Sequence, residues 1–370
     1  MRILFDHQII SLQNYGGISE YFSKIIDGIN ETEGCTAELT NPNLGNEVIL
    51  KKLDKINSWE RIVWKSLPHK GYRVRNIYTS VKLKVSTYDI FHPTYYNPYF
   101  LKWIPTTKPW TFTYHDMTHE RMGSLFPGLK NELFQQEKKY LVNKASKFIA
   151  ISHTTKNDIL EYYKINSDRV QVIHHGNPFE DVDIGAIPPI ESLHEPFLLF
   201  VGTRYNYKNF NHYLIAVAPL LKKYSIKLIC AGGGLFSLEE KQIIAKLGIA
   251  TLVTQVSINK KRLIQLYKSA IAFTYPSLYE GFGLPILEAF ACGCPCILSD
   301  IEVFQEVAGK DAALYFSPYD VDSIRQSIER ILNNSDLGGN LIDQGKERLK
   351  YFSWANTLNK TLSLYMELIA

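Results

Sequence analysis

The sequence predicts an α/β protein built from two doubly wound parallel sheets, and three observations carry that prediction. The chain has 370 residues, more than the roughly 100 to 200 that one core ordinarily serves. Short β-rich runs alternate with helical patterns almost from end to end, as consecutive βα units require. Turn formers without periodicity gather near the middle, from Asn177 to Pro189, and part the runs into two sets.

The first set comprises Arg2 to Phe5, Ile90 to His92, Trp110 to Tyr114, Lys147 to Ile151 and Val170 to His174. Its counterpart comprises Phe197 to Val201, Lys227 to Ala231, Thr251 to Thr254, Ile271 to Tyr275 and Cys296 to Ser299. This places one domain at 1–177, a linker at 178–196 and a second domain at 197–352. Beyond them, Ser353 offers a helix cap, and Trp354, Leu358, Leu362, Tyr365 and Ile369 recur on one helical face. A terminal helix at 353–370 therefore needs a surface to pack on.

Composition excludes several classes. Hydrophobic residues make up 45% and charged residues 21%, which is globular rather than disordered. No run approaches 18 apolar residues, and the start breaks into charge at Arg2 and Asp6, so a cytoplasmic protein is expected. Five cysteines, three of them in Cys292-Gly293-Cys294-Pro295-Cys296, suit neither a disulfide framework nor a zinc site and read as buried small residues. A formal charge of +4 gives no sign of nucleic-acid binding. The charge is uneven, however: residues 51–84 carry ten Lys or Arg against Asp54 and Glu60, with Trp59, Ile62, Val63, Trp64 and Leu67 spaced for one side of a helix.

The chemistry is written most clearly between Tyr275 and Ala289. A buried strand ends at Tyr275, a glycine-bearing loop follows, and a helix opens near Leu284-Pro285, where proline in the first turn costs little. Amides at such a helix start receive an anion or a sugar hydroxyl. Glu280 in the loop and Glu288 a turn into the helix can reach opposite ends of one ligand. Phe200 to Asn209 is a second strand, glycine turn and helix start, with Arg204 and Lys208 as its cations. In the first half, Asn14-Tyr15-Gly16-Gly17-Ile18 opens a helix with glycines that allow close backbone approach to a ligand. Tyr114-His115-Asp116 ends another strand, and Gly232-Gly233-Gly234 follows Ile229-Cys230-Ala231.

Glu280-x7-Glu288 around Gly-Phe-Gly-Leu-Pro resembles the signature of the retaining glycosyltransferase family 4, the group 1 glycosyltransferases, and the other motifs follow in the family's order from Arg2 to Trp354. The resemblance implies the GT-B fold, two Rossmann-like domains facing across a cleft, with the last helix crossing back onto the first. It implies that Glu288 binds ribose, that Glu280 and the backbone of Phe282, Gly283 and Leu284 bind the donor sugar, and that Arg204 and Lys208 grip the diphosphate. In the family that Arg usually stands a residue or so nearer the glycine. Gly16 and Gly17 are implied at the donor, and His115 points at its sugar. The activity implied is transfer of a hexose, with retention and without a metal, from a nucleotide sugar such as GDP-mannose or a UDP-sugar to a saccharide or lipid-linked acceptor. The basic stretch 51–84 is then a candidate for peripheral membrane contact.

Other readings remain beside it. A metal-dependent transferase would use Asp-x-Asp, present as Asp181-Val182-Asp183 and Asp320-Val321-Asp322, but the first falls in the linker and the second at a helix start where Asp caps. No Gly-x-Gly-x-x-Gly turn supports an oxidoreductase. A phosphorylase or epimerase on the same architecture and a silent nucleotide-sugar-binding protein stay open.

Overall fold

The computed structural model describes residues 1–13, 16–40, 71–190 and 195–370. Asn14, Tyr15, residues 191–194 of the expected linker, and residues 51–70 with Trp59, Ile62, Val63, Trp64 and Leu67 lie outside the described residues. Two units emerge: Met1–Glu120, Lys130–Gly176 and Trp354–Ala370 form the first, Arg121–Leu129 and Asn177–Ser353 the second.

The first unit contains strands β1 (Arg2–Phe5), β2 (Thr36–Leu39), β3 (Ile90–His92), β4 (Thr113–Tyr114), β5 (Phe148–Ala150) and β6 (Val170–Val172). Its helices are α1 (Gln8–Leu12), α2 (Gly17–Glu31), α3 (Tyr72–Val85), α4 (Thr118–Met122, running into the second unit), α5 (Glu132–Lys144) and α6 (His153–Tyr163). Ile3, Leu4, Phe5, Ile90 and Phe91 are all buried, as apolar runs covered on both faces of a parallel sheet must be. The strands group as β2-β1-β3 and β4-β5-β6, all parallel, rather than as one sheet. A single Phe91–Trp110 bridge stands between them. Pro109 has no N–H to extend that ladder, and regular pairing resumes at Thr113, not at Trp110 as expected.

The second unit continues with β7 (Phe197–Val201), α7 (Phe210–Lys223), β8 (Lys227–Ala231), α8 (Leu238–Lys246), β9 (Val253–Val256), α9 (Lys260–Ser269) and β10 (Ala272–Tyr275). After these come α10 (Leu284–Ala291), β11 (Cys296–Ser299), α11 (Glu302–Ala308), β12 (Ala313–Phe316), α12 (Val321–Leu332) and α13 (Ser335–Leu349). One parallel sheet runs β12-β11-β10-β7-β8-β9. Its connections step outward in opposite directions from the β7–β10 pair, so the crevice at their carboxyl ends is the topological switch point where such sheets bind ligands. Phe210, Tyr213, Leu214 and Val217 of α7 and Ile324 and Ile328 of α12 close one core over the sheet.

Two expectations are corrected here, and two strands are added. Residues 177–190 are not a free linker: Ser269 of α9 accepts the Ile190 amide at 2.9 Å, and Lys268 donates to the carbonyls of Ile184 and Ile187 at 3.1 and 2.6 Å, binding the segment to the second unit. Strand β9 begins at Val253 because Leu252 closes a turn on Ile249 at 2.9 Å. Edge strands β2 and β12 escaped the sequence reading, β2 because its Thr-Ala-Glu-Leu is half exposed and lacks an apolar run.

The terminal helix α14 (Trp354–Ile369) packs within the first unit. Leu362 and Tyr365 enter the core of Ile3, Phe5, Tyr21 and Phe22, while Leu364 meets Ile149 and Ile173. Ile369 is 42% exposed and leaves the face the sequence assigned it to. Gly28 of α2 makes the approach feasible, since a Cβ there would lie 2.6 Å from Leu358. All five cysteines are free, and Cys230, Cys292, Cys294 and Cys296 are buried; burial pushes the Cys292 thiol up to about 12.

Candidate active site

At the switch point, the loop after β7 and the loop after β10 bring together Lys208 and Glu280, 72 residues apart in sequence. Lys208 ends the short 3-10 turn Asn206–Lys208, whose first residue Asn206 and following Asn209 are left-handed with φ of 55° and 60°; asparagine tolerates that region better than most residues. The Leu278 amide donates to the Tyr207 carbonyl at 2.7 Å and joins the two loops. There the Lys208 ammonium meets the Glu280 carboxylate at 2.5 Å, the two side chains only 14% and 11% exposed. Ser277 donates to the same Glu280 oxygen at 2.7 Å. The Tyr275 ring lies 5.4 Å from the ammonium, so the cation is flanked by carboxylate and π-face together.

Glu288 stands on α10, where the Tyr267 hydroxyl donates to it at 2.9 Å. Burial first, and the Glu288 charge second, raise Tyr267 far above an ordinary phenol, so it remains a donor. The helix starts from Gly283, whose φ of +113° is outside the range of L side chains; a Cβ there would also come within 3.1 Å of Ile286 and 3.2 Å of Phe304. Phe282 is buried with its ring 5.9 Å from that of Phe352, and Leu284 is the half-buried first residue of the helix. The backbone from 282 to 284 is thus fixed from both sides.

Arg204 is held by its own set of partners. Its guanidinium donates to Glu240 at 2.9 Å and to the carbonyls of Gly232, Gly234 and Leu235 at 3.0, 2.8 and 3.1 Å. The side chain is 2% exposed. Gly233 comes so close that a Cβ would lie 2.4 Å from the Gly202 carbonyl. Arg204 therefore locks the triple-glycine turn against the β7 loop, with Glu240 compensating its charge. Arg204 itself lines a cavity of about 500 Å³ together with Phe126, Tyr205, Asn206 and Leu278. Lys208, Glu280 and Glu288 are absent from its walls.

In the first unit, His115 follows β4 and is 5% exposed. Its amide donates to the Tyr96 hydroxyl at 2.8 Å, while Nε2 is buried and has no partner among the described residues. Burial lowers the ring to about 3, so the imidazole is neutral. Gly16 and Gly17 start α2, with Gly16 accepting from the Ser19 hydroxyl at 2.9 Å. Tyr21 of that helix lies 5.5 Å from the His115 ring, ring to ring. Asp320 caps α12 through the amides of Asp322 and Ser323 at 2.9 and 3.3 Å, and Asp183 accepts the Ala186 amide at 3.2 Å. These carboxylates have local structural work.

Against known proteins, the model described as "Glycosyl transferases group 1" matches residues 188–348, and "Glycosyltransferase Family 4" matches residues 42–179. An uncharacterised glycosyltransferase of Methanocaldococcus jannaschii is 28% identical over 301 residues, 76% of each chain. The O-antigen chain mannosyltransferase RfbU of Salmonella typhimurium is 30% identical over 231 residues, and the match spans 62% of each chain. Sucrose-phosphate synthase from Thermosynechococcus elongatus superposes with a TM-score of 0.74 at 20% identity, covering 100% of this chain and 99% of that one. Anabaena HepE in complex with UDP and glucose superposes at 0.72 with 16% identity over 100% of both chains. Fold and comparisons define a glycosyltransferase of the GT-B class. Within that class the chain belongs to the group 1 glycosyltransferases, family 4.

Sequence reasoning missed three supporting side chains. Glu240 was legible, because Ser237 and Glu240 form the reciprocal capping box that opens α8. Tyr267, 21 residues before Glu288, carried no signal. Neither did Lys138, a mid-helix lysine that reads as solvated until the fold buries it.

Proposed function

We propose that this glycosyltransferase moves mannose from GDP-mannose to the saccharide of a lipid-linked acceptor, with retention and without a metal ion. The observation that carries the reading is the Lys208–Glu280 pair at the switch point, with Glu288 on the following helix. RfbU and several further relatives are named mannosyltransferases, which supports mannose as the sugar. Glu288 takes the ribose hydroxyls, and Glu280 with the backbone at 282–284 takes the sugar. Lys208 has three N–H donors, of which Glu280 takes one at 2.5 Å and the Tyr275 hydroxyl another at 3.5 Å, leaving one for the diphosphate.

In the reaction the bond from the anomeric carbon to the diphosphate oxygen breaks, and the acceptor oxygen bonds to that carbon on the same face. The acceptor proton passes to the departing phosphate oxygen. Charge grows on the diphosphate as it leaves, and a fixed cation stabilises that growth more than it stabilises the bound donor. On the first unit His115 meets a hydroxyl of the transferred sugar. A neutral imidazole suits that place, because it does not oppose positive charge developing at the anomeric carbon. A thermal-shift screen of GDP-mannose, GDP, UDP-glucose and UDP tests the donor, since a ligand of the folded state raises stability with the logarithm of its excess over Kd. Stabilisation by the guanine pair is expected, followed by turnover of GDP-mannose to an α-linked product in EDTA. Stabilisation by the uridine pair alone would reassign the base; an inverted product or activity restored only by manganese would remove the mechanism.

Peripheral contact with the cytoplasmic face of a membrane belongs to the same reading. Among the described residues no helix is long and apolar enough to cross a membrane. Helix α3 instead exposes Val74, Ile77, Val81 and Val85 at helical spacing, from 47% at Val74 to 72% at Val85. Lys84 stands 4.7 Å over the ring of half-exposed Trp103 beside them. Basic residues near an anionic surface contribute about 1 kcal/mol each. The protein should pellet with anionic but not neutral vesicles at low salt, and Ile77→Glu should release it. Equal recovery in the supernatant with both vesicle types would leave a soluble acceptor.

A further inference from the structure

We propose that Lys138 is a positioning residue that fixes His115 for the transferred sugar, an inference that rests on the role given to His115 above. Lys138 lies in the middle of α5 and its side chain is 1% exposed. A lysine so buried must spend its charge and its donors on the protein. Its ammonium donates to the backbone carbonyl of Asp116 at 2.9 Å and to the Glu120 carboxylate at 3.0 Å, and that carboxylate is itself 0% exposed. The rings of Tyr114, Phe134 and Tyr96 surround it at 4.8, 5.1 and 5.2 Å. Three aromatic faces around one ammonium would ordinarily mark a cation-binding cage; here the chain supplies its own cation.

Three of the groups this lysine touches adjoin His115. Asp116 follows it, and Tyr114 precedes it and donates to Glu120 at 3.2 Å. Tyr96, third member of the cage, accepts the His115 amide at 2.8 Å. The peptide unit before the histidine and the one that follows Asp116 are therefore anchored to the Lys138–Glu120 pair and its cage, while His115 Nε2 is left unengaged among the described residues. The adjacent Asp116 carboxyl is held below its usual range: burial raises it, but the Lys138 charge and the Thr118 bonds outweigh that. Lys138 thus neutralises the carboxylates around a histidine that stays uncharged. A buried ion pair is weak evidence for stability alone. This one supplies a backbone anchor that no apolar pair could supply.

The test is a cycle of Lys138→Met, His115→Ala and their double variant, with kcat and donor KM measured separately. Methionine keeps the length and the packing in the cage but loses the charge. Because it strands the Glu120 charge, Lys138→Met/Glu120→Gln is made as well, removing both charges while keeping an acceptor for Tyr114. Both Lys138 variants should lower kcat by about tenfold to a hundredfold, the scale of a catalytic contact displaced by about an ångström. Donor KM and the thermal shift given by GDP should stay within about twofold. In the His115→Ala background, Lys138→Met should add no further loss of kcat. An equal loss in both backgrounds, or wild-type kcat in the folded charge-free pair, overturns the inference. Unchanged kcat in His115→Ala alone would instead remove the role of His115, and the inference with it.

Discussion

Lys208→Ala is expected to lower kcat by about a hundredfold to a thousandfold, the loss typical when a fixed donor to developing negative charge is removed. Donor KM should change much less, because Glu288 and the 282–284 backbone still bind the donor. Melting should fall less than when a fully buried cation is removed, since Lys208 keeps 14% exposure and Ser277 still donates to Glu280. Arg204→Met provides the contrast. It leaves Glu240 and the carbonyls of 232–235 without their donor, and breaking one partner out of a buried pair costs about 3 to 5 kcal/mol. Its signature is therefore a lowered melting temperature, where that of Lys208 is a lowered kcat in a folded enzyme. Steady-state kinetics and thermal melts of both variants decide it. Full kcat in Lys208→Ala at saturating donor would refute the diphosphate role.

Mild acid is expected to unfold the first unit. His92 and His115 are lowered by burial to about 3, and burial lowers His175 well below its ordinary value. In the unfolded chain each binds a proton below about pH 6.5, while in the folded chain each stays neutral. Stability is accordingly whole above pH 6.5 and falls as the pH drops from there toward 3. Each histidine contributes a slope approaching 1.4 kcal/mol per pH unit, so three remove about 3 to 4 kcal/mol between pH 6 and pH 5. That is a large part of the roughly 5 to 15 kcal/mol that holds a protein folded. Both ring nitrogens of His92 are engaged by hydroxyls, with Tyr365 at 2.6 Å and Thr113 at 3.1 Å, so its neutral form is built into the core. Melting temperature against pH measures the slope, and His92→Gln should flatten it by about a third. A curve level from pH 6.5 to 4.5 would show that these rings are not neutral by burial.

The order of strands and loops determined much of this protein from sequence alone. Apolar runs at Arg2 to Phe5, Phe197 to Val201 and Cys296 to Ser299 form strands because a chain covered on both faces of a parallel sheet has little other use for them. Gly283 and Pro285 fixed the start of α10, since backbone geometry and a missing N–H are local properties. From that came Glu280 and Glu288, and the fold set Glu280 against Lys208, 72 residues away. What tertiary structure alone decided was how charge is spent. Arg204 and Lys208 look equivalent in sequence, four residues apart on one loop, yet one closes on Glu240 and the four carbonyls of 232–235 while the other meets a carboxylate at the crevice. Lys138 looks solvated in sequence, and the fold buries it against Glu120 beside His115. Segment 177–190 reads as a linker until Lys268 and Ser269 bind its backbone. Periodicity and glycine act within a few residues, whereas the partner of a charge is set by which distant loops the sheet brings to one edge.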